Sequence, residues 1–544
     1  FGTALETMVY YADIRTPKPN GESHLSDYLE LSSFDQQLQY FIKNSPWIQD
    51  MMPSNSTYEE WQTFWRIFVE LRIMNVNYSL KRYDGPAVYI AAEIRDIYRD
   101  RFNEKPWFEV VPNLVLEEVP GDHITMWHQP NIQVLSQTIE KYANTRQFKP
   151  SAPSSKGKMS ELNQSSLLEA AQKKTGLNDF GDAHFLVGLE QLVDAVNSEA
   201  KLHPMGQTFM RELIVRLLSN RLQIQAELKR YPEILETPIK QPLFILGLPR
   251  TGSTYLHNLL CQDPTVRWLH LWEAYTPYPA PDPINFNTDP RIQQTQETFK
   301  NYEFFTPEST AMHKYDACAP EECVWLLQND FACTSFSFLT QIPSYTAWLK
   351  EQDMTPVYRY YRRQLQLLDW KFMSARWVLK NPFHLGDLAA LETVFPDACF
   401  VHTHRDPARV LASYCRLIKN LRPVYSDWFD PRAIGEEMLS ILSHQVEQGM
   451  KARSAIDSQR ICDINFNSLV NDPIGTVEKI YGYFGYEMSQ AMRQNLQQYI
   501  SDNPRYKHGK YSYSLEEFEL DASQVTKAFK QYVEMFKTYV NSKS

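Results

Sequence analysis

Long apolar runs are missing from this sequence. The strongest, Pro242 to Pro249, falls far short of the roughly 18 to 20 residues a membrane-spanning helix needs, so a membrane partner is not expected. An excess of positive charge is missing too. The formal net charge is −10, which argues against a nucleic-acid partner and leaves any anionic ligand to a local basic pocket. Cysteine is sparse: seven residues, an odd number, with no C-x-x-C pair. That speaks against a disulfide framework or a zinc ribbon and fits a reducing cytoplasm. No secretory pattern opens the printed sequence and no lipidation motif closes it. The sequons at Asn55, Asn77 and Asn163 therefore carry no weight. The first residue is Phe1 rather than Met, which reads as a piece of something longer. Solenoid-period repeats are absent as well.

What is present is ordinary globular material, 43% hydrophobic and 22% charged over 544 residues, enough for about two to four domains. The clearest boundary is residues 146–160, RQFKPSAPSSKGKMS, whose Pro, Ser and Lys cannot bury a core and read as a linker. It separates a first segment, residues 1–145, from a second, residues 161–544. The second opens with helical periodicity over Leu162 to Gln172, Ala183 to Leu202 and Gly206 to Lys229. Three strand–helix units follow: Pro242–Gly247 with Thr254–Cys261, Trp377–Lys380 with Leu385–Val394, and Cys399–Thr403 with Ala408–Ile418. Such repetition with short connections predicts an α/β fold, a parallel sheet flanked by helices.

Gly247-Leu-Pro-Arg-Thr-Gly-Ser-Thr254 falls where a strand ends and a helix begins. Unpaired N–H groups and the helix dipole favour an anion there. Gly252 permits close approach, Ser253 and Thr254 offer hydroxyls, and Arg250 a fixed charge. The plainer reading is an ordinary strand–turn–helix corner. A nucleotide-dependent phosphotransferase would need Gly-x-x-x-x-Gly-Lys-Ser/Thr, and Ser253 stands where that lysine belongs.

GLPRTGSTYLHNLL resembles the 5′-phosphosulfate loop of sulfotransferases that use 3′-phosphoadenosine 5′-phosphosulfate. VHTHRDPARVLASY, from Val401 to Tyr414, resembles their 3′-phosphate motif, with Arg405 and Ser413 at its two key positions. WVLKNPFHL, from Trp377 to Leu385, is similar to the segment between them in tyrosylprotein-type and related enzymes. NDFGDAHFLVGLEQL and YKHGKYSYSLEEFELD are similar to flanks of the bacterial-type branch, so the match runs from about Leu162 to Phe536. The resemblance implies the P-loop-like sulfotransferase fold, this nucleotide as donor and no metal. Arg250, Thr251, Gly252, Ser253 and Thr254 would then hold the 5′-phosphosulfate, and Arg405 and Ser413 the 3′-phosphate. Lys380 matches the lysine that meets charge on the bridging oxygen. Lys507, His508 and Gly509 lie in a basic aromatic stretch that either folds over the nucleotide or is a solvated loop. Arg416 is a weaker donor candidate, one position off the family's spacing.

The reaction also needs a base for the acceptor hydroxyl. Glu273 matches a glutamate that this branch places near its acceptor, and His384 follows Lys380 by four positions. His270 and Glu321 or Glu322 are further options. The order of preference is Glu273, then His384.

In the first segment, Leu114–Val119 followed by Pro120-Gly-Asp-His123 resembles the C-terminal half of an assembly-line thioesterase of the α/β-hydrolase class. His123 and Asp13 would fall on its triad, with residues 25–74 as lid. The G-x-S-x-G elbow that must precede them is absent from the printed sequence. This segment therefore reads as a truncated remnant without a nucleophile. That context suggests a small-molecule or carrier-bound hydroxyl acceptor, a polyketide or peptide intermediate, with assembly-line neighbours as partners. Two rivals stand beside the sulfotransferase: the phosphotransferase, and a non-catalytic docking module. The presence together of Arg250, Lys380, Arg405 and Ser413 opposes the docking module.

Overall fold

The computed structural model describes residues 87–92, 114–119, 161–305, 315–372, 376–428, 430–503 and 514–540. The chain divides into two units, Gly2–Lys158 and Met159–Ser544. In the first, strands β1 (Ala87–Ala92) and β2 (Leu114–Val119) pair in parallel, Ala87 opposite Leu114. Asp13, His123 and the proposed lid lie outside the described residues, as does the linker up to Ser160.

The second unit is organised by β3 (Leu243–Gly247), in which every residue is buried. A strand apolar on both sides belongs inside a sheet covered on both faces. It pairs in parallel with β5 (Trp377–Lys380) and with β6 (Cys399–His404), so that Ile245 lies opposite both Lys380 and Val401. β4 (Arg267–Trp268) and β7 (Ile461–Asn465) take the edges, giving the order β4-β5-β3-β6-β7. Successive side chains of β3 enter different cores, as the pleat requires. Phe244 and Leu246 join Trp377, Leu379, Phe400 and the helices Pro204–Arg230, Thr355–Asp369 and Pro431–Arg453. Leu243 and Ile245 join Val378, Val401 and the helices Ser253–Leu260 and Pro473–Phe484.

The chain visits β5 and β4 on one side of β3 and β6 and β7 on the other. The crevice beyond the C-terminal ends of these strands is where such sheets place ligands. Three predicted motifs end there, and local chemistry explains why. After His404 the chain turns at Arg405, and Asp406 caps the next helix by accepting from Ala408 N–H at 2.9 Å. Pro407 then supplies a preset first turn, and the helix Pro407–Leu421 carries Ser413 buried at 2% exposure. After Lys380, the Asn381 side chain accepts from Phe383 N–H and Pro382 opens a short 3₁₀ turn, Pro382–Leu385, that carries His384. The helix expected over Leu385–Val394 is thus split, its α-helical part beginning at Leu388 after Gly386 and Asp387. All seven cysteines are free: Cys261, Cys323, Cys333, Cys415 and Cys462 are buried, Cys399 is half-buried and Cys318 exposed.

Candidate active site

The phosphate-type loop is shaped by contact with β6. Gly247 sits at φ +139°, and a Cβ there would meet Thr403 O at 2.5 Å, so only glycine fits. Thr251 is fully buried and ties the loop down, donating to Leu248 O at 2.7 Å with the Thr403 hydroxyl also at 2.7 Å. Gly252, at φ +84°, stands at the N-cap of the helix Ser253–Leu260, and no side chain caps that end. Arg250 holds a left-handed φ of +64°, which costs a non-glycine residue about 1–2 kcal/mol. Strain of this kind is retained where it aims a side chain. Here Arg250 Nε donates to Ser413 Oγ at 3.2 Å, and its carbonyl accepts from Arg405 Nη1 at 2.8 Å. Arg405 also lies 4.1 Å over the Phe466 ring. The loop residue, the corner arginine and the helix serine therefore converge on one spot.

Lys380 ends β5 with 1% exposure. A buried ammonium must be paired, and Lys380 Nζ donates to Thr254 Oγ1 at 3.2 Å and to the Glu322 carboxylate. Glu322 arrives by backbone docking. Glu321 N–H donates to Leu269 O at 2.8 Å, Cys323 N–H donates to Lys380 O at 2.9 Å, and Pro320 forms a bridge with His270. Beneath the lysine, His257 is fully buried, and burial together with the Lys380 charge pushes it down to about 3.

The two preferred base candidates are otherwise engaged. Glu273 has 0% exposure; one oxygen accepts from Arg267 Nη2 at 2.5 Å, the other from His270 N–H at 3.3 Å and lies 2.9 Å from His270 Nδ1. Burial by itself would raise this carboxyl, but the Arg267 charge and His270 outweigh it and hold it below the usual value. His384 is equally sealed, its Nδ1 2.7 Å from the Tyr358 hydroxyl and its ring edge-on to Phe244. Burial pushes it down to about 3, so it stays neutral and is a poor proton acceptor. Arg416 donates to Glu517 at 2.8 Å. Lys507, His508 and Gly509 lie outside the described residues.

Two features escaped sequence reasoning. Arg267, on the two-residue β4, is the cation that Glu273 neutralises; it also donates to Leu368 O at 2.9 Å and faces Phe372 and Trp377. Behind Arg405, His402, His404 and Asp463 form the group of possible metal ligands found among the described residues. Arg453 already brings positive charge there, with Nη1 2.8 Å from Asp463 Oδ1 and 3.3 Å from His402 Nδ1. His404 Nε2 lies 2.8 Å from Asp463 and its Nδ1 2.9 Å from the Tyr532 hydroxyl, which ties the helix Lys530–Met535 to the strand end beside Arg405. An alternating His-x-His on an apolar strand was the available signal.

Residues 242–490 match the sulfotransferase family. Sulfotransferase STF1 of Mycobacterium tuberculosis H37Rv is 35% identical with a TM-score of 0.62, over 68% of this chain and 99% of that one. Sulfotransferase STF9 of Mycobacterium avium is 26% identical with a TM-score of 0.63, over 70% of this chain and 98% of that one. Omega-hydroxy-beta-dihydromenaquinone-9 sulfotransferase Stf3 of Mycobacterium bovis is 27% identical over 309 residues, 52% of this chain and 73% of its own.

Proposed function

The chain belongs to the sulfotransferase family, and from that premise we propose that it moves a sulfuryl group from 3′-phosphoadenosine 5′-phosphosulfate to a small-molecule alcohol. The observation that carries the donor assignment is the convergence of Arg250, Ser413 and Arg405 at the ends of β3 and β6. The uncapped N-terminus of Ser253–Leu260 receives the 5′-phosphosulfate. Arg405 and Ser413 receive the 3′-phosphate, and Arg250 spans the two positions. Lys380, already on Thr254 at the same helix start, neutralises the oxygen that leaves sulfur. Sulfuryl transfer needs this in-line positioning and charge neutralisation above all.

For the acceptor we propose an apolar alcohol. Just beyond Glu322, Trp325 joins Tyr275, Phe299 and Tyr315 in one aromatic cluster, with Phe299 and Tyr315 centroids 4.6 Å apart. The ω-hydroxylated isoprenoid quinone in the name of the Stf3 relative is an alcohol of this kind.

Calorimetry with the desulfated donor tests the reading. 3′-Phosphoadenosine 5′-phosphate should bind far more tightly than AMP. Arg405→Ala should lose roughly ten- to a hundredfold in affinity, the worth of one charge-assisted contact. Equal affinity for AMP and the bisphosphate would sink the donor assignment.

A further inference from the structure

Resting on the sulfotransferase reading above, we propose that Glu322 is the general base that takes the acceptor's proton. A base must be reachable by the acceptor and must lie beside the groups that meet the leaving oxygen. Glu322 satisfies both requirements: its carboxylate is on Lys380 Nζ, and its side chain is 23% exposed. The backbone holds it there from both sides, through Glu321 to Leu269 on the β4 side and through Cys323 to Lys380 at the end of β5. Glu322 N–H also donates to Glu321 Oε1 at 2.8 Å, so the neighbouring carboxylate braces the turn. Tyr414, on the helix that carries Ser413, records the same neighbourhood. Burial and then the Glu322 charge push its hydroxyl up, while the Arg250 charge opposes them. Glu273 and His384 fail the first requirement, being sealed at 0% exposure and engaged with Arg267, His270 and Tyr358.

The pairing also defines a sequence of events. In the resting protein the Lys380 ammonium neutralises Glu322. With the donor in place, the ammonium turns to the phosphate oxygen that bridges to sulfur, and the carboxylate is released toward the acceptor. The acceptor oxygen then bonds to sulfur as the bridging S–O bond breaks. The electron pair of the broken bond stays on the 5′-phosphate oxygen beside Lys380. The acceptor proton passes to Glu322, which afterwards returns it to solvent.

The test compares wild type with Glu322→Gln by two readouts. The first is release of inorganic sulfate from the donor, with water standing in for the acceptor. The amide keeps the shape but takes no proton, so the rate should fall about 10²- to 10⁴-fold. The second is calorimetric affinity for 3′-phosphoadenosine 5′-phosphate. It should hold steady or tighten in Glu322→Gln, because Lys380 no longer has to leave a carboxylate. Equal sulfate release by the two proteins overturns the assignment, as does loss of rate in Glu273→Gln but not in Glu322→Gln. A drop in affinity of about tenfold or more in Glu322→Gln, the worth of one lost charge-assisted contact, also overturns it, since Glu322 would then be building the donor site. Failure of the wild type to prefer the bisphosphate over AMP is a different result: it removes the donor assignment itself.

Discussion

Glu273 and Glu322 both flank the β4–β5 side of the sheet, both face a cation, and are used in opposite ways. Glu273 is sealed against Arg267, a guanidinium held by a backbone carbonyl and aromatic faces as well. Glu322 keeps 23% exposure against a lysine on a flexible stem. A guanidinium fixed in a fork makes a permanent structural pair, whereas an ammonium can exchange partners. Burial decides the rest. A carboxylate that no acceptor can reach can only balance charge. One at the surface of the crevice can trade its cation for a proton.

The contrast is broken or sharpened by three measurements. The largest effect should come from Arg267→Ala, which takes the buried guanidinium away from Glu273 and from Asp369, 3.5 Å from Arg267 Nε, and leaves Glu273 only His270. A loss of about 3–5 kcal/mol in unfolding free energy is expected by denaturant titration. A loss below about 1 kcal/mol, the range of exposed pairs, would mean that the Glu273 pair is not the structural one. Next comes Lys380→Ala, whose partner is open to water and so costs less stability. Its cost should appear in turnover, about 10²- to 10³-fold (roughly 2.7–4 kcal/mol), with donor affinity little changed. A variant that loses several kcal/mol of stability yet keeps wild-type turnover would reverse the two roles. The smallest effect concerns pH. Because the folded Glu273 carboxyl is held low, its ionised form contributes stability above the ordinary glutamate value of about 4.3. That contribution is lost as pH falls through the lowered folded value. The stability difference between wild type and Glu273→Gln should therefore shrink as pH falls below about 4.3. A difference independent of pH would remove electrostatics as the reason Glu273 is there.

The cluster of Arg250, Arg405 and Ser413 could be read from the chain because its signals are contiguous. Gly247, Gly252 and Arg250 stand within one turn, and Arg405, Asp406 and Pro407 announce a strand end and a helix start together. The environments of Glu273 and Glu322 could not. Whether a glutamate is sealed or open depends on Arg267, which sits on a strand of two residues with no periodicity to read, and on the Leu368 carbonyl far along the chain. β7 was also missed. Ile461-Cys-Asp-Ile-Asn465 hides its alternation behind Asp463, a charge spent on Arg453 and His404. The thioesterase resemblance of the first segment rests on Leu114–Val119, which is a strand, and on residues 13 and 123, which lie outside the described ones, so its triad stands on motif alone.

The distribution of thiols has a practical consequence. Five of the seven cysteines are buried and one is half-buried, while Cys318 is exposed four positions before Glu322. Burial raises the thiols of Cys323 and Cys333 to about 12 and about 11, which keeps them protonated and slow toward alkylating reagents. Burial and the Asp316 charge raise the Cys318 thiol as well, but Cys318 is the exposed one, so a maleimide dye should label the sequence there first, without removal of any other cysteine. The molecule thus carries its own attachment point for a fluorophore on the segment that brings Glu322 to Lys380, so that occupancy of the crevice can be followed as a change in emission while no product is being counted.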